Sequence, residues 1–409
     1  MPEQRVVTQN VGKIDPHDIS TCLDHAGFEA LKKARDELSP EEVIREVKAS
    51  GLQGRGGAGF NCGLKWELAR KAGGEEKFLI VNADEGEVGT FKDRFLLQND
   101  PFTLIEGLAI ACRAIGAGVA YIYLRAEYHY LTADLIKALD QAKEMGFLES
   151  LDCRIVEGAG AYICGEESAL MDSIEGLRGE ARYRPPFPPE KGLWQRPTII
   201  NNVETLMNVP RIILNGSKWF NEIGTEKSKG TKLFSVSGDV EKPGVYEMVM
   251  GSSLKELVLD LAGASKVKLA QVGGASGGII PADYLDTPLS YETVLGSGAV
   301  TVFNQTRDVL DLVYRSMEFL SEESCGKCAP CREGTEAMME ILGRLIRGEG
   351  RESDLGALQD LSRAMADSAL CGLGQAAPIP VMDSLKYFRE DYENRIEQSQ
   401  ILRSLRSIN

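Results

Sequence analysis

Residues 77–87, K-F-L-I-V-N-A-D-E-G-E, decide how the first half of this chain is interpreted. The first five residues have the apolar character of a buried strand, and an amide and three carboxylates follow at its carboxyl end. Ligand sites in α/β sheets concentrate at such strand ends. Asn82, Asp84 and Glu85 suit a ligand with mixed donors and acceptors, and Glu87 suits the hydroxyls of a nucleotide. A divalent-cation site and a solvated turn remain alternatives for these residues.

Outward from this strand, predicted helices and strands alternate through about residue 230. Ser39-Pro40-Glu41-Glu42 predicts a helix start, because Ser is a good N-cap, Pro fits the first helical position and Glu completes a capping box. Gly51 can end that helix. The rest of the pattern predicts helices at 101–116, 132–145 and 165–175, and strands at 119–124 and 154–156. Such alternation indicates an α/β layer domain.

The composition changes after residue 231. Short β-like runs surround one predicted helix, 253–262, and indicate a small α+β module; the runs lie at 232–238, 244–249 and 299–303. From about Asp308 the pattern is helical, with predicted helices at 335–347 and 354–367. A chain of 409 residues exceeds what one core usually serves, and we divide it into domains at 1–231, 232–307 and 308–409.

Gly54-Arg55-Gly56-Gly57-Ala58-Gly59-Phe60 is the densest glycine stretch of the chain and formally matches G-x-G-x-x-G. The usual dinucleotide fingerprint follows a strand and opens a helix, whereas here a capped helix precedes the glycines. Consecutive glycines still let backbone N–H groups approach a phosphate or a flat ring closely, and Arg55 and Lys65 favour an anion. Phe60 either stacks on a planar ring or fills the core, and a tight turn without a ligand remains an alternative.

Three further segments offer polar groups at element boundaries. Gly165-Glu166-Glu167-Ser168 opens a predicted helix whose free N–H groups could receive an anion, although acidic first-turn residues also complement a helix dipole. Arg184-Pro-Pro-Phe187 is rigid and presents one cation and one aromatic ring, as a cleft wall or as a surface linker. Asn201, Asn202 and Thr205 add short polar side chains at another boundary.

Four cysteines near the end of the chain predict its redox chemistry. Cys325, Cys328 and Cys331 stand in C-G-K-C-A-P-C, and Cys371 follows alone. This three-plus-one grouping favours four-thiolate ligation of a [4Fe-4S] cluster, whereas structural zinc sites usually bring two C-x2-4-C pairs. Zinc and unliganded thiols remain alternatives. The other cysteines are scattered singly and are interpreted as small buried residues: Cys22, Cys62, Cys112, Cys153 and Cys164. Cys164 is a partial exception, because it directly precedes residues 165–168, a candidate ligand-binding segment.

The charge of the chain excludes several classes of partner. A net charge of −15 and a pI of about 4.9 argue against nucleic acid and against anionic membrane surfaces. No apolar run approaches the roughly 20 residues that a spanning helix needs, and Met-Pro-Glu-Gln-Arg has no apolar signal region. We therefore expect no direct membrane insertion and a cytoplasmic location.

Together these segments resemble the family of NADH-oxidising flavoprotein subunits. That family includes the FMN-binding subunit of respiratory complex I and the matching subunits of soluble NAD-dependent hydrogenases and formate dehydrogenases. Ordered blocks over roughly residues 17–380 carry the resemblance: G-R-G-G-A-G-F-x-x-G-L-K-W (54–66), N-A-D-E-G-E (82–87), K-D-R (92–94), G-A-Y-I-C-G-E-E-S-A-L (160–170), P-P-F-P (185–188), G-L-W (192–194), N-N-V-E-T-L (201–206), E-S-C-G-K-C-x-P-C-R-E-G (323–334) and L-C-x-L-G (370–374).

The resemblance implies a role for each matching residue. FMN would be held by Gly54, Arg55, Gly56, Gly57, Lys65, Asn82, Asp84, Glu85, Gly165, Glu166, Asn201, Asn202 and Thr205. NADH, with its nicotinamide stacked on the flavin, would be received by Phe60, Glu87, Glu167, Arg184 and Phe187. The [4Fe-4S] cluster would be bound by Cys325, Cys328, Cys331 and Cys371.

The resemblance also implies the fold and the reaction. It implies a Rossmann-like FMN domain, a ubiquitin-like β-grasp domain and a C-terminal all-α helical bundle that holds the cluster. The implied reaction is reversible hydride transfer between NAD(H) and FMN, followed by one-electron transfer to the cluster. A flavin can stand between a two-electron and a one-electron carrier, so no side chain is required as an acid or a base in the hydride step.

Two departures from the family pattern concern the nucleotide. Arg184 stands where the family usually has Lys, and its planar guanidinium hydrogen-bonds differently from an ammonium group. Leu68 stands where complex I members often have an aromatic residue that stacks on adenine. The contacts with NADH are therefore expected to differ in detail from those of complex I.

Partner subunits are implied as well, because the sequence has neither an N-terminal thioredoxin-like [2Fe-2S] domain nor a C-x2-C-x2-C-x3-C-P ferredoxin block. A thioredoxin-like [2Fe-2S] subunit is expected first, with a large iron–sulfur catalytic subunit of a hydrogenase or formate dehydrogenase; ferredoxin is a further candidate if electron bifurcation occurs. Residues 273–288 look closer to the hydrogenase and formate dehydrogenase members, which favours a soluble NAD-dependent hydrogenase. Formate dehydrogenase and complex I remain alternatives, and a non-catalytic docking scaffold is the alternative of a different class.

Overall fold

The computed structural model describes residues 4–74, 76–148 and 151–406; the expectation about the first residues of the chain lies in part outside this range. The α-helices are α1 Ile19–Leu23, α2 Glu29–Asp36, α3 Pro40–Ala49, α4 Cys62–Lys71, α5 Lys92–Asn99, α6 Pro101–Ile115, α7 Thr132–Glu144, α8 Glu167–Ile174, α9 Val203–Asn215, α10 Ser217–Asn221, α11 Val309–Glu322, α12 Ala329–Ile346, α13 Glu352–Ser368, α14 Gly372–Ala376, α15 Ile379–Tyr387 and α16 Arg389–Arg406. The strands are β1 Phe78–Ala83, β2 Val119–Leu124, β3 Asp152–Glu157, β4 Thr198–Asn202, β5 Thr231–Gly238, β6 Gly244–Val249, β7 Val267–Val272, β8 Gly278–Pro281 and β9 Ala299–Asn304.

The first sheet is parallel throughout and has the strand order β3-β2-β1-β4. Its β1 strand is buried along nearly its whole length, as its apolar sequence predicts, and α6 and α9 pack with it in one apolar core. The chain leaves β1 towards β2 on one side and returns as β4 on the other. The carboxyl ends of β1 and β4 therefore flank a topological switch point, which is where open α/β sheets bind ligands.

The second sheet is mixed and has the strand order β6-β5-β9-β7-β8, with β5 and β9 parallel and the other neighbours antiparallel. One face packs on a π-helical segment, Glu256–Leu261, through a buried apolar cluster that includes Val236, Leu257 and Val302. The predicted runs at 232–238, 244–249 and 299–303 are strands here. The predicted helix at 253–262 is present, and it is wound as a π-helix from Glu256 to its last residue, Leu261.

Helices α11–α16 form the end of the described chain and share a buried core that includes Met317, Leu342, Leu358 and Tyr392. Helix α15 covers the edge strand β8, where Asp383 Oδ2 accepts a hydrogen bond from the backbone N–H of Ile279 at 3.0 Å. An edge strand covered in this way cannot pair with another chain. The same contact fixes the helical region against the second sheet.

The N-terminal segment fastens the two sheets to each other. The buried Glu247 carboxylate on β6 accepts hydrogen bonds from the backbone N–H groups of Val6, Val7 and Thr8 at 2.9–3.0 Å. Two residues later, Asn10 Nδ2 donates to Asp100 Oδ2, the N-cap of α6, at 3.0 Å. Buried carboxylates need such partners. These contacts therefore hold the N-terminal segment between β6 of the second sheet and α6, which packs on the first sheet.

Candidate functional site

The switch point of the first sheet brings two asparagines together. Asn82 and Asn202 are paired in register at the carboxyl ends of β1 and β4. Asn82 Nδ2 donates to the carbonyl of Gly165 at 2.9 Å and its Oδ1 accepts from the N–H of Asp84 at 3.0 Å. A Cβ atom at Gly165 would lie 3.4 Å from the Asp84 carbonyl. The loop before α8 therefore lies directly against the end of β1.

The glycine loop between α3 and α4 lies at the same edge. Its ends close through a hydrogen bond from Gly54 N–H to the Phe60 carbonyl at 2.9 Å, and Arg55 N–H donates to Thr205 Oγ1 at 2.8 Å. A Cβ atom at Gly56 would approach Asn202 Cβ to 3.2 Å. The absence of a side chain at Gly56 thus lets the loop lie on Asn202. The predicted FMN residues of the loop, of β4 and of α9 therefore share one surface.

Beneath the loop lies a cluster of buried charges. Lys92 Nζ is 2.6 Å from Asp93 Oδ1 and 3.0 Å from Glu204 Oε2, and Lys232 Nζ is 3.0 Å from the same Glu204 oxygen. Asp93 Oδ2 in turn accepts from Asn202 Nδ2 at 2.6 Å. All four charged side chains are almost completely buried. Attraction to the two neighbouring lysines keeps the pKa of Glu204 below its ordinary value despite burial.

Only part of this charged cluster could be predicted from sequence patterns. K-D-R at 92–94 is one of the blocks quoted above, but no role follows from its local sequence. Lys232 and Tyr291 carry no local signal either, since Lys232 belongs to β5 and Tyr291 to the connection between β8 and β9. Each reaches the loop only in the folded chain: Lys232 Nζ donates to the Arg55 carbonyl at 3.0 Å, and the Tyr291 hydroxyl donates to the Gly54 carbonyl at 2.5 Å.

The first two carboxylates after β1, Asp84 and Glu85, have different surroundings. Asp84 Oδ2 is buried and has no hydrogen-bond partner within the described residues, and burial raises the pKa of this carboxyl to about 7. Glu85 accepts from the N–H groups of Asp93 and Arg94 at 2.8 and 3.0 Å and from the Tyr128 hydroxyl at 2.9 Å. Glu85 therefore caps α5, whereas Asp84 is an unsatisfied acceptor that fits a ligand hydroxyl or N–H.

The cleft also contains paired cations and carboxylates. Lys65 contacts Glu167 Oε1 and donates to the Ile200 carbonyl at 2.9 Å. Arg184 contacts Glu166 Oε1, and its guanidinium is 4.0 Å from Glu167. The expectation that the N–H groups at this helix start are free was wrong for two of them. Glu166 is the N-cap of α8, and its Oε2 accepts from the N–H groups of residues 168 and 169 at 3.0 Å.

Some of the side chains predicted to contact the nucleotide are exposed, whereas others already have hydrogen-bond partners. Phe60 and Phe187 are 52% and 51% exposed, and Leu68 is 48% exposed, so these apolar side chains are available to a ring. Glu87 is already engaged, because its carboxylate accepts from the Tyr162 hydroxyl at 2.6 Å and from the Ala275 N–H at 2.8 Å.

Asn201, the remaining predicted FMN residue, is buried. Its Oδ1 accepts from Trp66 Nε1 at 2.8 Å and its Nδ2 donates weakly to Cys62 Sγ at 3.8 Å. The side chain thereby joins β4 to α4. In this arrangement the Asn201 amide fixes the helix that follows the glycine loop, and its backbone remains next to Asn202.

The four predicted cluster cysteines line one cavity, together with Ile163, Ala181, Ser324, Lys327, Leu370 and Leu373. Burial raises the pKa of the Cys331 thiol to about 11. Within the described residues, no group of three or more His, Cys, Asp or Glu side chains is arranged to hold a single metal ion. Four thiols around one largely apolar cavity fit a multi-atom iron–sulfur cluster better than a zinc ion, which needs its ligands within about 2.3 Å of one point.

A single loop borders both sites. Ile163 lines the cysteine cavity, and Gly165, two residues later, lies against Asp84 at the end of β1. The loop is fixed to the helical region, since Tyr162 N–H donates to Glu323 Oε2 at 2.9 Å. Lys327 Nζ, beside the cysteines, donates to the Ala181 carbonyl at 2.8 Å. The strand-end cleft and the cysteine cavity are therefore adjacent parts of one site.

The remaining five cysteines are separate from that cavity. Cys22, Cys62, Cys112 and Cys164 are buried, as predicted, whereas Cys153 is half-buried at the edge strand β3. Burial raises the thiol pKa of all five, for Cys62 and Cys153 to about 12. These thiols are protonated and act as small packing residues.

Comparison with known proteins agrees with this geometry. Residues 47–211 match the Nuo51 FMN-binding domain, and residues 311–395 match the NADH-ubiquinone oxidoreductase-F iron–sulfur binding region. The chain is 44% identical to an NADH-quinone oxidoreductase subunit of Rhizobium meliloti, over 96% of this chain and 98% of that protein. The chain belongs to this family of flavoprotein subunits. Its cofactors are accordingly FMN and a [4Fe-4S] cluster.

Hydrogenase subunits are similarly close. The chain is 41% identical to the NADP-reducing hydrogenase subunit HndC of Solidesulfovibrio fructosivorans, over 96% of this chain and 84% of that protein. The crystal structure of an NAD+-reducing [NiFe]-hydrogenase in the H2-reduced state aligns with a TM-score of 0.86 and 41% identity, over 90% of this chain and 64% of that one. The mixed α/β fold with a parallel sheet is thus shared with a hydrogenase subunit.

Among the residues that the structure describes, no helix combines the length and the apolar composition needed to cross a membrane.

The unsatisfied Asp84 carboxyl predicts a pH-dependent stability of the flavin-free protein. Its folded-state pKa of about 7 lies above the ordinary value of 3.8, so the folded protein loses free energy of unfolding as pH rises from about 4 to 7. Asp84→Asn removes this loss. We expect the variant to exceed the original protein by on the order of 4 kcal/mol at pH 8 and by less than about 1 kcal/mol at pH 4, measured by urea unfolding.

The exposed Asp367 gives the matched control, because Asp367→Asn is expected to leave the free energy of unfolding unchanged at both pH values. A variant at position 84 that is less stable than the original protein at pH 8 would contradict the assignment of Asp84 as an unsatisfied buried acid.

Proposed function

We propose that this chain oxidises NADH at FMN and passes the electrons one at a time to its [4Fe-4S] cluster, in the reversible manner of an NADH dehydrogenase module. FMN supplies the conversion between hydride and single-electron chemistry. The observation that carries the proposal is the loop at 162–165, which borders the strand-end cleft on one side and the cysteine cavity on the other. This arrangement suits electron transfer between two neighbouring cofactors.

We assign the FMN contacts to the glycine loop and the switch point. Backbone N–H groups of the loop suit a phosphate, and the unsatisfied Asp84 oxygen suits a hydroxyl or a ring N–H of the flavin. Lys65 at the cleft wall adds a cation. The full set that we propose is Gly54, Arg55, Gly56, Gly57, Lys65, Asn82, Asp84, Glu85, Gly165, Glu166, Asn201, Asn202 and Thr205. Within it, Glu85 and Asn201 support the site through the buried hydrogen bonds described above.

We assign the NADH contacts to the exposed side of the same cleft. Phe60 and Phe187 offer exposed rings for stacking, and Arg184 offers a cation for a phosphate. Glu167 and Glu87 suit ribose hydroxyls once their present partners, Lys65 and Tyr162, are exchanged. The chain's side chains bind and orient the nucleotide here, and none is needed to move a proton in the hydride step.

The domain division supports these roles. We propose an FMN- and NADH-binding Rossmann-like domain at 1–231, a ubiquitin-like β-grasp domain at 232–307 and a helical [4Fe-4S] domain at 308–409. The strand order β3-β2-β1-β4 supports the first assignment, the five-stranded mixed sheet around one helix supports the second, and α11–α16 support the third. We assign the cluster ligands to Cys325, Cys328, Cys331 and Cys371.

The complex that contains this chain is proposed to be a cytoplasmic NAD-dependent hydrogenase. The similarity to HndC and to the NAD+-reducing [NiFe]-hydrogenase supports this choice. A thioredoxin-like [2Fe-2S] subunit and a large hydrogenase subunit would be its partners. Ferredoxin would join only in an electron-bifurcating complex. An NAD-dependent formate dehydrogenase or complex I is the second candidate, and the NADH-quinone oxidoreductase relative, at 44% identity, favours complex I of these two.

Anaerobic titration with NADH tests the proposed reaction. We expect NADH to bleach the flavin absorbance of the reconstituted chain and to reduce its cluster, as seen by electron paramagnetic resonance. Cys371→Ser removes one thiolate, so iron and acid-labile sulfide should fall severalfold while NADH still bleaches the flavin. Cys153→Ser should change neither, because Cys153 lies on β3 and does not line the cavity. If the flavin stays oxidised in a preparation fully loaded with both cofactors, the proposed reaction is wrong and a non-catalytic docking scaffold is the remaining interpretation.

Substitution of Phe187 tests the nucleotide assignment. Phe187→Ala removes an exposed ring, and loss of its burial against the bound nucleotide should raise KM for NADH about tenfold or more, measured by ferricyanide reduction. The FMN content should stay unchanged. The control is Tyr130→Ala, since Tyr130 is equally exposed but lies outside the cleft. A KM unaffected by Phe187→Ala would remove this residue from the nucleotide site.

Isolation of the native complex tests the choice of hydrogenase. The chain should co-purify with a thioredoxin-like [2Fe-2S] protein and a hydrogenase subunit, and the complex should reduce NAD+ with hydrogen. Formate-dependent reduction without hydrogen activity would assign a formate dehydrogenase instead, and quinone-dependent NADH oxidation in membranes would assign complex I.

A further inference from the structure

Lys232, the second residue of β5, reaches out of its own sheet into the glycine loop. Its side chain is completely buried. Its Nζ donates to the Arg55 carbonyl at 3.0 Å and lies 3.0 Å from Glu204 Oε2. A buried ammonium group is costly unless it is paired and hydrogen-bonded, so these two contacts fix where the ammonium group lies.

The bond to the Arg55 carbonyl sets the direction of the next peptide N–H. Because a trans peptide places its C=O and N–H on opposite sides, a carbonyl held inward by Lys232 turns the N–H of Gly56 outward. Tyr291 holds the Gly54 carbonyl in a similar way, at 2.5 Å. Residues of β5 and of the connection between β8 and β9 therefore determine which way the backbone groups of this loop face.

The charges beneath the loop point to an anion above it. The ammonium groups of Lys92 and Lys232 lie there with the Arg55 guanidinium, against the two contacting carboxylates of Asp93 and Glu204. The Arg55 side chain is completely buried, and its Nε and one terminal nitrogen have no hydrogen-bond partner within the described residues. Unpaired buried donors with positive charge are the complement of an acidic ligand group.

We infer that Lys232 is a positioning residue for the phosphate of the flavin: it holds the Arg55–Gly56 peptide with its N–H towards the phosphate and adds positive charge below it. The inference rests on the proposed function, since it requires that FMN binds on the glycine loop. It makes the second sheet part of the flavin site, although that sheet lies outside the α/β region that carries the other proposed contacts.

The state of Lys232 depends on its surroundings. Burial lowers its pKa to about 8, while attraction to Glu204 on α9 opposes this shift and repulsion from Lys92 on α5 and from Arg55 adds to it. Burial opposes the charge of Lys92 as well, but attraction to Asp93, Glu204 and Glu85 raises its pKa, so Lys92 stays protonated. A bound phosphate favours the protonated form of Lys232, so affinity for FMN should fall as pH rises through about 8.

Flavin titration of the full-length chain, first freed of FMN, tests the inference. Lys232→Met should weaken FMN binding about tenfold or more at pH 7, the size expected for a contact with a charged group. Riboflavin, which lacks the phosphate, should bind within about twofold of its original affinity. Lys255→Met gives the matched control, because Lys255 is an exposed lysine of the same region.

A second measurement needs no variant. The affinity of the original chain for FMN should decline between pH 7 and pH 9.5, whereas its affinity for riboflavin should not, and Lys232→Met should abolish the decline. Equal weakening of both flavins by Lys232→Met, or an FMN affinity independent of pH, would overturn the phosphate role. Failure of the original chain to bind FMN at all would instead overturn the proposed function.

Discussion

A single buried carboxylate, Glu204, connects the two sheets around the ligand cleft. It accepts a hydrogen bond from the Leu233 N–H of β5 at 2.8 Å and pairs with Lys232 of the same strand and Lys92 of α5. A buried ion pair contributes little net stability, but loss of one partner leaves an uncompensated charge at a cost of about 3–5 kcal/mol. The arrangement therefore penalises any displacement of one sheet relative to the other, and the glycine loop lies directly above it.

Tyr162 plays the corresponding part on the cluster side. Its N–H donates to Glu323 near the end of α11, its hydroxyl donates to Glu87 after β1, and its ring packs on Phe319 with centroids 5.2 Å apart. One residue thus contacts the helical region and the strand-end cleft at once. The relative position of the two cofactor sites is consequently fixed by packing and hydrogen bonds, which suits electron transfer between sites that must keep a constant separation.

The sequence predicted those elements whose signals are local. The capping box at Ser39 is present in full, and the strands at 119–124 and 244–249 have the predicted bounds. Strands β4, β7 and β8 were not predicted, because β4 and β8 are only five and four residues long and the buried face of β7 is set by its partners. The C-terminal helices begin earlier than predicted, since α12 starts at Ala329 among the cysteines.

The parts of the site that lie at a strand end or follow the cysteine spacing could be predicted from the sequence, because both signals are local. Residues placed by the end of β1 and by the cysteine spacing are found together, whereas the direction of each side chain required the folded chain. Asp84 and Glu85 are adjacent carboxylates, yet one is unsatisfied and the other caps α5. Lys232 contributes from 177 residues beyond Arg55, a separation at which no local pattern operates. The individual ligand assignments stay predictions until they are tested.

The charges of the cleft pair with each other, and this has a consequence for binding. Lys65 contacts Glu167 and Arg184 contacts Glu166, so these two cations, which could receive a phosphate of the dinucleotide, are already neutralised. A chain with a net charge of −15 repels an anionic dinucleotide at long range, although salt screens this beyond about 8–10 Å. Binding must therefore exchange one set of ion pairs for another within the cleft. Because the freed carboxylates would then face ribose hydroxyls, the exchange itself favours a ligand that carries phosphates and hydroxyls together over a simple anion.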